Sequence, residues 1–172
     1  MKATFIATLL LMTVGVVPLL AGDPTRRINS REVAVLPFTN LSISAKVTVI
    51  LYESPVISTV YIMGKENLAR KIAVLQKDSK LLITSSSNSN MKEKITVFIP
   101  VNKLRSLVVS AEAFIKSQTV LNSPHLEVDS EDGGEVHIIV NGIVKVNNGM
   151  HHARIRSISP EYAVVRMSLP IY

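Results

Sequence analysis

Cysteine is absent from this 172-residue chain, and so is tryptophan. Without thiols there is no disulfide framework, no zinc–thiolate site, no cysteine nucleophile and no residue on which a bacterial lipoprotein anchor could be built. Stability must come from packing and backbone pairing. Aromatic residues make up only 5% of the chain, too few for the stacking platforms that hold single-stranded nucleic acid, so nucleic acid is not an expected partner. A Gly-x-Ser-x-Gly nucleophile context, a phosphate-cradling glycine loop and a dinucleotide fingerprint are also missing. No catalytic residue and no cofactor is therefore assigned.

What is present begins at the N-terminus. Met1-Lys2 leads into an uncharged, mostly apolar run over residues 3–21 that closes in Pro18-Leu19-Leu20-Ala21-Gly22. A positive start, an apolar centre, a helix-breaking proline and small residues at the exit are the layout of a secretory signal peptide over residues 1–22, with cleavage near Ala21 or Gly22. The alternative is an uncleaved membrane anchor, since such a run can just cross roughly 30 Å of hydrocarbon at about 1.5 Å per residue. A membrane enters only by that route. Residues 23–32, with Pro24, Arg26 and Arg27, read as a flexible lead-in, and residues 33–172 as a single β-rich domain with a modest core.

Lys and Arg number 19 against 13 Asp and Glu, a formal net charge of +6. Such an excess favours acidic partners, among them anionic polysaccharides and lipid head groups, although scattered charge more often serves solvation. The basic residues fall in short clusters: Arg26-Arg27, Lys92 with Lys94, Lys103 with Arg105, and Arg154 with Arg156.

Apolar residues alternate with polar ones at Leu41 and Ile43, at Val47, Val49 and Leu51, at Val60 and Ile62, and at Ile95, Val97 and Ile99. A period of two, carried by β-branched side chains, predicts half-buried strands. One stretch departs from this: over residues 65–72, Glu66 and Arg70 stand four apart beside Leu68, Ala69 and Ile72, which predicts a helix of at most two turns. The serine- and asparagine-rich run 85–90 reads as a surface loop.

In the second half, Val109, Val128, Val146 and Val165 recur at intervals of 19, 18 and 19 residues, each with an apolar or small residue two positions earlier. A near-constant interval predicts stacked coils in which equivalent inward positions form a ladder. An antiparallel β-sandwich is the alternative that the same strands allow.

These segments resemble a known family. Arg31-Glu32-Val33, then Phe38-Thr39-Asn40-Leu41-Ser42-Ile43-Ser44-Ala45 and Val47-Thr48-Val49, are similar to the opening of the putative auto-transporter adhesin (head GIN) domain. Val60-Tyr61-Ile62, Glu66-Asn67-Leu68, Leu81-Leu82-Ile83, Ile95-Thr96-Val97-Phe98-Ile99-Pro100 and Leu104-Arg105-Ser106-Leu107 follow in the order of that family's strands. The resemblance implies an exported bacterial envelope protein and a right-handed parallel β-helix like that of pectate-lyase-like proteins. It implies no settled activity. Where the family has glycine-rich turns, this chain has Ser110-Ala111-Glu112-Ala113 and Ser130-Glu131-Asp132-Gly133, and from Gly142 onward the similarity fades.

The densest polar group is Asp129, Glu131, Asp132 and Glu135 around Gly133-Gly134, with His137 on the following strand. Hard cations take several oxygen ligands, so these four carboxylates are the candidate metal site. Their spacing fits neither an EF-hand nor a glycine-rich calcium repeat, so a solvated acidic turn is the preferred reading and no metal is assigned. His151-His152 lie adjacent, and neighbouring residues on a strand face opposite sides. Three functions follow: a non-catalytic envelope module binding a glycan, another envelope protein or a copy of itself; a carbohydrate-active lyase or hydrolase using the acidic turn with Arg154 or Arg156 as base; and a membrane-anchored envelope regulator.

Overall fold

The computed structural model describes residues 28–86, 94–130, 134–147, 153–158 and 166–167. They form an all-β chain with one short helix. In order the elements are β1 (Ile28–Ala34), β2 (Asn40–Ser44), β3 (Thr48–Glu53), β4 (Thr59–Lys65), α1 (Glu66–Ala69), β5 (Ile72–Lys77), β6 (Lys80–Ser85), β7 (Thr96–Val101), β8 (Ser106–Val109), β9 (Phe114–Ser117), β10 (Leu121–Ser130), β11 (Glu135–Asn147), β12 (Ala153–Ser157) and β13 (Arg166–Met167). Among the described residues no helix is long and apolar enough to cross a membrane.

All thirteen strands belong to one mixed sheet, running β1-β4-β7-β3-β9-β11-β10-β8-β2-β6-β5, with β12 and β13 also on β11. The path doubles back at β11. Its first residues pair with β9, while residues 140–147 pair with β10, so this one strand serves both arms. Nine of the twelve strand pairs among the described residues are parallel. That count excludes the antiparallel sandwich, because only β1–β4, β4–β7 and β5–β6 run in opposite directions.

Branched side chains line the space between the arms. On one arm Ile62, Val97, Val49, Ile115 and Val136 stand side by side across five strands, all fully buried. On the other, Leu81, Leu41, Leu107, Val128 and Val146 do the same. Inward and outward positions alternate along each strand, which is why the period of two in the sequence was informative.

The ladder register differs from the expected one. Val128 pairs with Val146 as the spacing predicts, but Val109 pairs with Ser130 and it is Leu107 that stands beside Val128. Val109, Val128 and Val146 are all buried nonetheless. A slip of two residues keeps every side chain on its own face, so hydrophobic periodicity cannot detect it. Separately, one extra residue of β10 is accommodated against β11 by an irregularity between Asn122 and His125.

The helix is a single turn, since Ile72 already belongs to β5, and Glu66 pairs with Arg70 as expected. β1 begins at Ile28 and takes in the last residues of the segment read as a flexible lead-in. It is an edge strand held by β4 alone, so it needs no regular apolar alternation. Arg31 of β1 donates to the carbonyl oxygens of Ala69 at 3.5 Å and Ile72 at 2.9 Å. That cation therefore satisfies carbonyls at the end of α1 and ties β1 to β5, the two ends of the sheet path, leaving the sheet nearly closed on itself.

Candidate functional site

Of the four acidic residues Asp129, Glu131, Asp132 and Glu135, the structure describes Asp129 and Glu135, which lie on different strands. Asp129 lies outward on β10, next to Val108 and Asn147. Glu135 lies outward on the opposite arm, its Oε1 2.8 Å from His137 Nε2. Glu131 and Asp132 lie outside the described residues, as do Ala21, Gly22, His151 and His152. Among the described residues no three His, Asp or Glu side chains come together as metal ligands. One Asp129 oxygen is buried without a hydrogen-bond partner. Arg154 of β12 is in register with His137, on the outward face that also carries Glu135.

Gly134 has a packing role. A Cβ there would lie 2.5 Å from a Val109 methyl, so the glycine after the acidic residues is required by close approach to the core.

A concave site forms elsewhere, at the bend where β10 and β11 enter the arm they share with β8. Leu126 and Val144 point inward and pair, leaving His125 and Glu127 on β10, and Ile143 and Lys145 on β11, at the rim. The Glu127 N–H donates to the Arg105 carbonyl at 2.8 Å, bringing Arg105 alongside. The buried Ser123 hydroxyl donates to the Leu104 carbonyl and fixes the Pro124 segment beneath. Together Lys103, Arg105, Pro124, His125, Leu126, Glu127, Ile143 and Lys145 line a recess of about 470 Å³, within the roughly 300–1,000 Å³ typical of ligand sites.

Charge in this recess is unbalanced. Glu127 accepts from Lys145 at 2.7 Å and from Asn147 at 2.9 Å. These bonds, and then the charge of Lys145, hold its carboxyl below the ordinary range. Lys103 and Arg105 have no such partner among the described residues, which leaves three fixed positive charges against one negative. A second recess of about 520 Å³ shares Lys103 and Pro124 and is lined by Glu53, Asn102, Asn122 and Asn141. There the Asn141 amide donates to Asn122 Oδ1 at 3.3 Å, and Glu53 Oε2 accepts from the Asn122 N–H at 2.9 Å. Cationic and amide-lined surfaces are thus continuous through Lys103.

Lys103 carries backbone strain. Its φ is 53°, in the left-handed region that costs a side chain with a Cβ about 1 kcal/mol. Asp78, φ 52°, adopts the same conformation in the β5–β6 turn, but Asp is among the residues that tolerate it and Lys is not. Sequence reading treated Lys103 and Arg105 as scattered surface charge and passed over His125 and Lys145. The pattern Lys-x-Arg, His-x-Glu, Lys-x-Asn, each beginning near a coil junction, was visible, but joining the three segments required the true ladder register.

A second outward surface has a different character. Across six strands of the other arm, Tyr61, Phe98, Ile50, Lys116, His137 and Arg154 stand in one continuous row. Tyr52, Met63 and Phe114 flank it, and Phe114 meets His137 edge-on at a ring separation of 5.2 Å. Burial, and then the Tyr61 phenol, raise the Tyr52 hydroxyl above its ordinary pKa. Of the five aromatic residues described, Phe38 is in the core and the other four are on this face.

Residues 37–148 match the family model described as "Putative auto-transporter adhesin, head GIN domain". Among solved structures, a putative adhesin from Bacteroides fragilis NCTC 9343 is similar over 77% of this chain and 62% of its own, with TM-score 0.63 and 19% identity. A putative lipid binding protein from Parabacteroides distasonis ATCC 8503 is similar over 76% of this chain and 60% of its own, with TM-score 0.53 and 11% identity. The chain thus spans about three fifths of the length of these relatives, and at such identities the likeness is one of fold. No curated protein matches the chain.

Proposed function

Since the chain belongs to the putative auto-transporter adhesin, head GIN domain family, we propose that it is an exported, non-catalytic envelope module that binds an acidic glycan in the Lys103–Arg105–His125–Lys145 recess. The observation that carries this reading is the convergence of Lys103 and Arg105, unpaired among the described residues, with Lys145 on a recess also lined by Pro124, Leu126 and Ile143. Fixed cations are suited to uronate or phosphate groups. The adjoining amides of Asn102, Asn122 and Asn141 offer both donors and acceptors for sugar hydroxyls. Strain held at Lys103, at the junction of the two recesses, fits a residue kept for binding and not for stability. The parallel pairs of β8, β10 and β11 and of β3, β9 and β11 support a short right-handed coil of the β-helix type. Lys2 and the apolar run 3–21 support export.

The test is retention of the protein on immobilised polygalacturonate and alginate, compared with neutral cellulose. Retention on the acidic polymers that weakens with added salt and is lost in Lys103→Glu/Arg105→Glu supports the reading. Equal retention by that variant, or no retention by the wild type, overturns it. New reducing or unsaturated ends appearing during the same incubation would favour a lyase or hydrolase instead.

A further inference from the structure

We infer that the aromatic face of the β4–β7–β3–β9–β11–β12 arm is the contact surface for a second copy of this chain. Extended by one strand, the row on this face reads Glu32, Tyr61, Phe98, Ile50, Lys116, His137, Arg154 from β1 to β12. An acid stands at one end, a cation at the other, aromatic side chains on the acidic side, basic ones on the far side, and Ile50 in the middle. A two-fold axis lying in the face, parallel to the strands and passing through Ile50, lays the row on a reversed copy of itself. Glu32 then faces Arg154, Tyr61 faces His137, Phe98 faces Lys116, and Ile50 faces Ile50. Each apposition is favourable, as ion pair, aromatic–imidazole contact, cation–π contact and apolar contact. The other in-plane axis, along the row, sets Arg154 on Arg154 and Lys116 on Lys116, so charge selects one dimer of the two.

Exposure supports a partner here. Tyr61 is 37% and Met63 38% exposed although the chain has few aromatic residues and a core that accepts branched ones. Tyr, Phe, Met and Arg are the residue types that interfaces concentrate. Six strand spacings of about 4.8 Å make the row roughly 29 Å wide, and three outward positions span about 13 Å along the strands. That footprint is smaller than the ~800 Å² per partner of a standard stable interface, so association is reversible and concentration-dependent.

The inference does not rest on the glycan recess, which lies on the other arm. It is tested by sedimentation velocity of the mature chain over a wide concentration range. A monomer–dimer equilibrium is expected for the wild type. Glu32→Arg and Arg154→Glu should each weaken it about tenfold, and the double reversal should restore it, because both copies then exchange sign together. Tyr61→Ser/Phe98→Ser should abolish dimerisation in a chain that still melts cooperatively, while Lys103→Glu/Arg105→Glu leaves it intact. A wild type that stays monomeric at every concentration overturns the inference. So does a dimer that ignores both the charge reversals and the serine variant, which would place the contact elsewhere.

Discussion

The two arms of the sheet carry nearly the same inner surface and opposite outer ones. Inside, both present unbroken rows of Val, Ile and Leu. Outside, the β2–β8–β10 arm shows Asn40, Ser44, Ser106, Val108, Glu127 and Asp129, whereas the β3–β4–β7–β9 arm shows Ile50, Tyr52, Tyr61, Met63, Phe98 and Phe114. Folding requires only the inner rows. The β2–β8–β10 arm carries no Phe or Tyr, so such a sheet does not need an aromatic exterior for packing, which is why the aromatic face is the one proposed as a contact surface.

The largest effects are expected at the inner rows, where the arms should behave alike. Val128→Asp on one arm and Val97→Asp on the other each bury an unpaired charge at a site with no solvent exposure. Each should cost more than about 4 kcal/mol and abolish soluble folding. Wild-type melting for either would show that its row is not core. The next largest effect is expected at the junction of the arms. Gly142 has φ +146°, and a Cβ there would sit 1.7 Å from the Ser123 carbonyl oxygen. Gly142→Ala should therefore destabilise by roughly 2–4 kcal/mol in thermal melts. Gly64→Ala, which meets Ile95 at an ordinary 3.5 Å, should change stability by less than about 1 kcal/mol.

Smaller effects sharpen the functional side of the contrast. Lys103→Asn should keep or raise stability by up to about 1 kcal/mol, since Asn accepts the left-handed conformation, while weakening retention on acidic polymers. A loss of stability would remove the strain argument. The smallest effect is electrostatic. A hydrogen bond from Lys46, and then its charge, hold the Glu112 carboxyl below its ordinary value, as Lys145 and Asn147 do for Glu127. A depressed carboxylate contributes stability that is fully present above its unfolded-state pKa and is lost as pH falls through the lower folded value. Melting temperature should therefore decline on acidification below about pH 4.5, the ordinary carboxylate value for both groups. Both pairs are exposed, so the decline is slight, and Lys46→Met/Lys145→Met should flatten it.

Strand positions were legible because alternation is a local property. Leu41, Ile43, Val49, Leu51, Val60, Ile62, Val97 and Ile99 all proved buried. The pairing of coils was only half legible, since Val128 with Val146 follows from spacing but Leu107 in place of Val109 does not: parity is blind to a two-residue slip. β1 escaped notice because an edge strand obeys no alternation, with Arg31 turned in to cap α1 and Ile72 while Glu32 turns out. The acidic turn attracted attention by density in sequence, yet Asp129 and Glu135 diverge onto different faces at the bend. The recess was hidden for the converse reason, because Lys103, His125 and Lys145 are remote in sequence and come together only where the coils stack.

Matched retention on polygalacturonate tests whether the two outer faces have the separate tasks proposed for them. Wild type, Lys103→Glu/Arg105→Glu and Tyr61→Ser/Phe98→Ser would be compared at equal concentration, with melting temperatures confirming that all three are folded. The account predicts that only the recess variant loses retention. Retention lost in the aromatic-face variant and kept in the recess variant would contradict it.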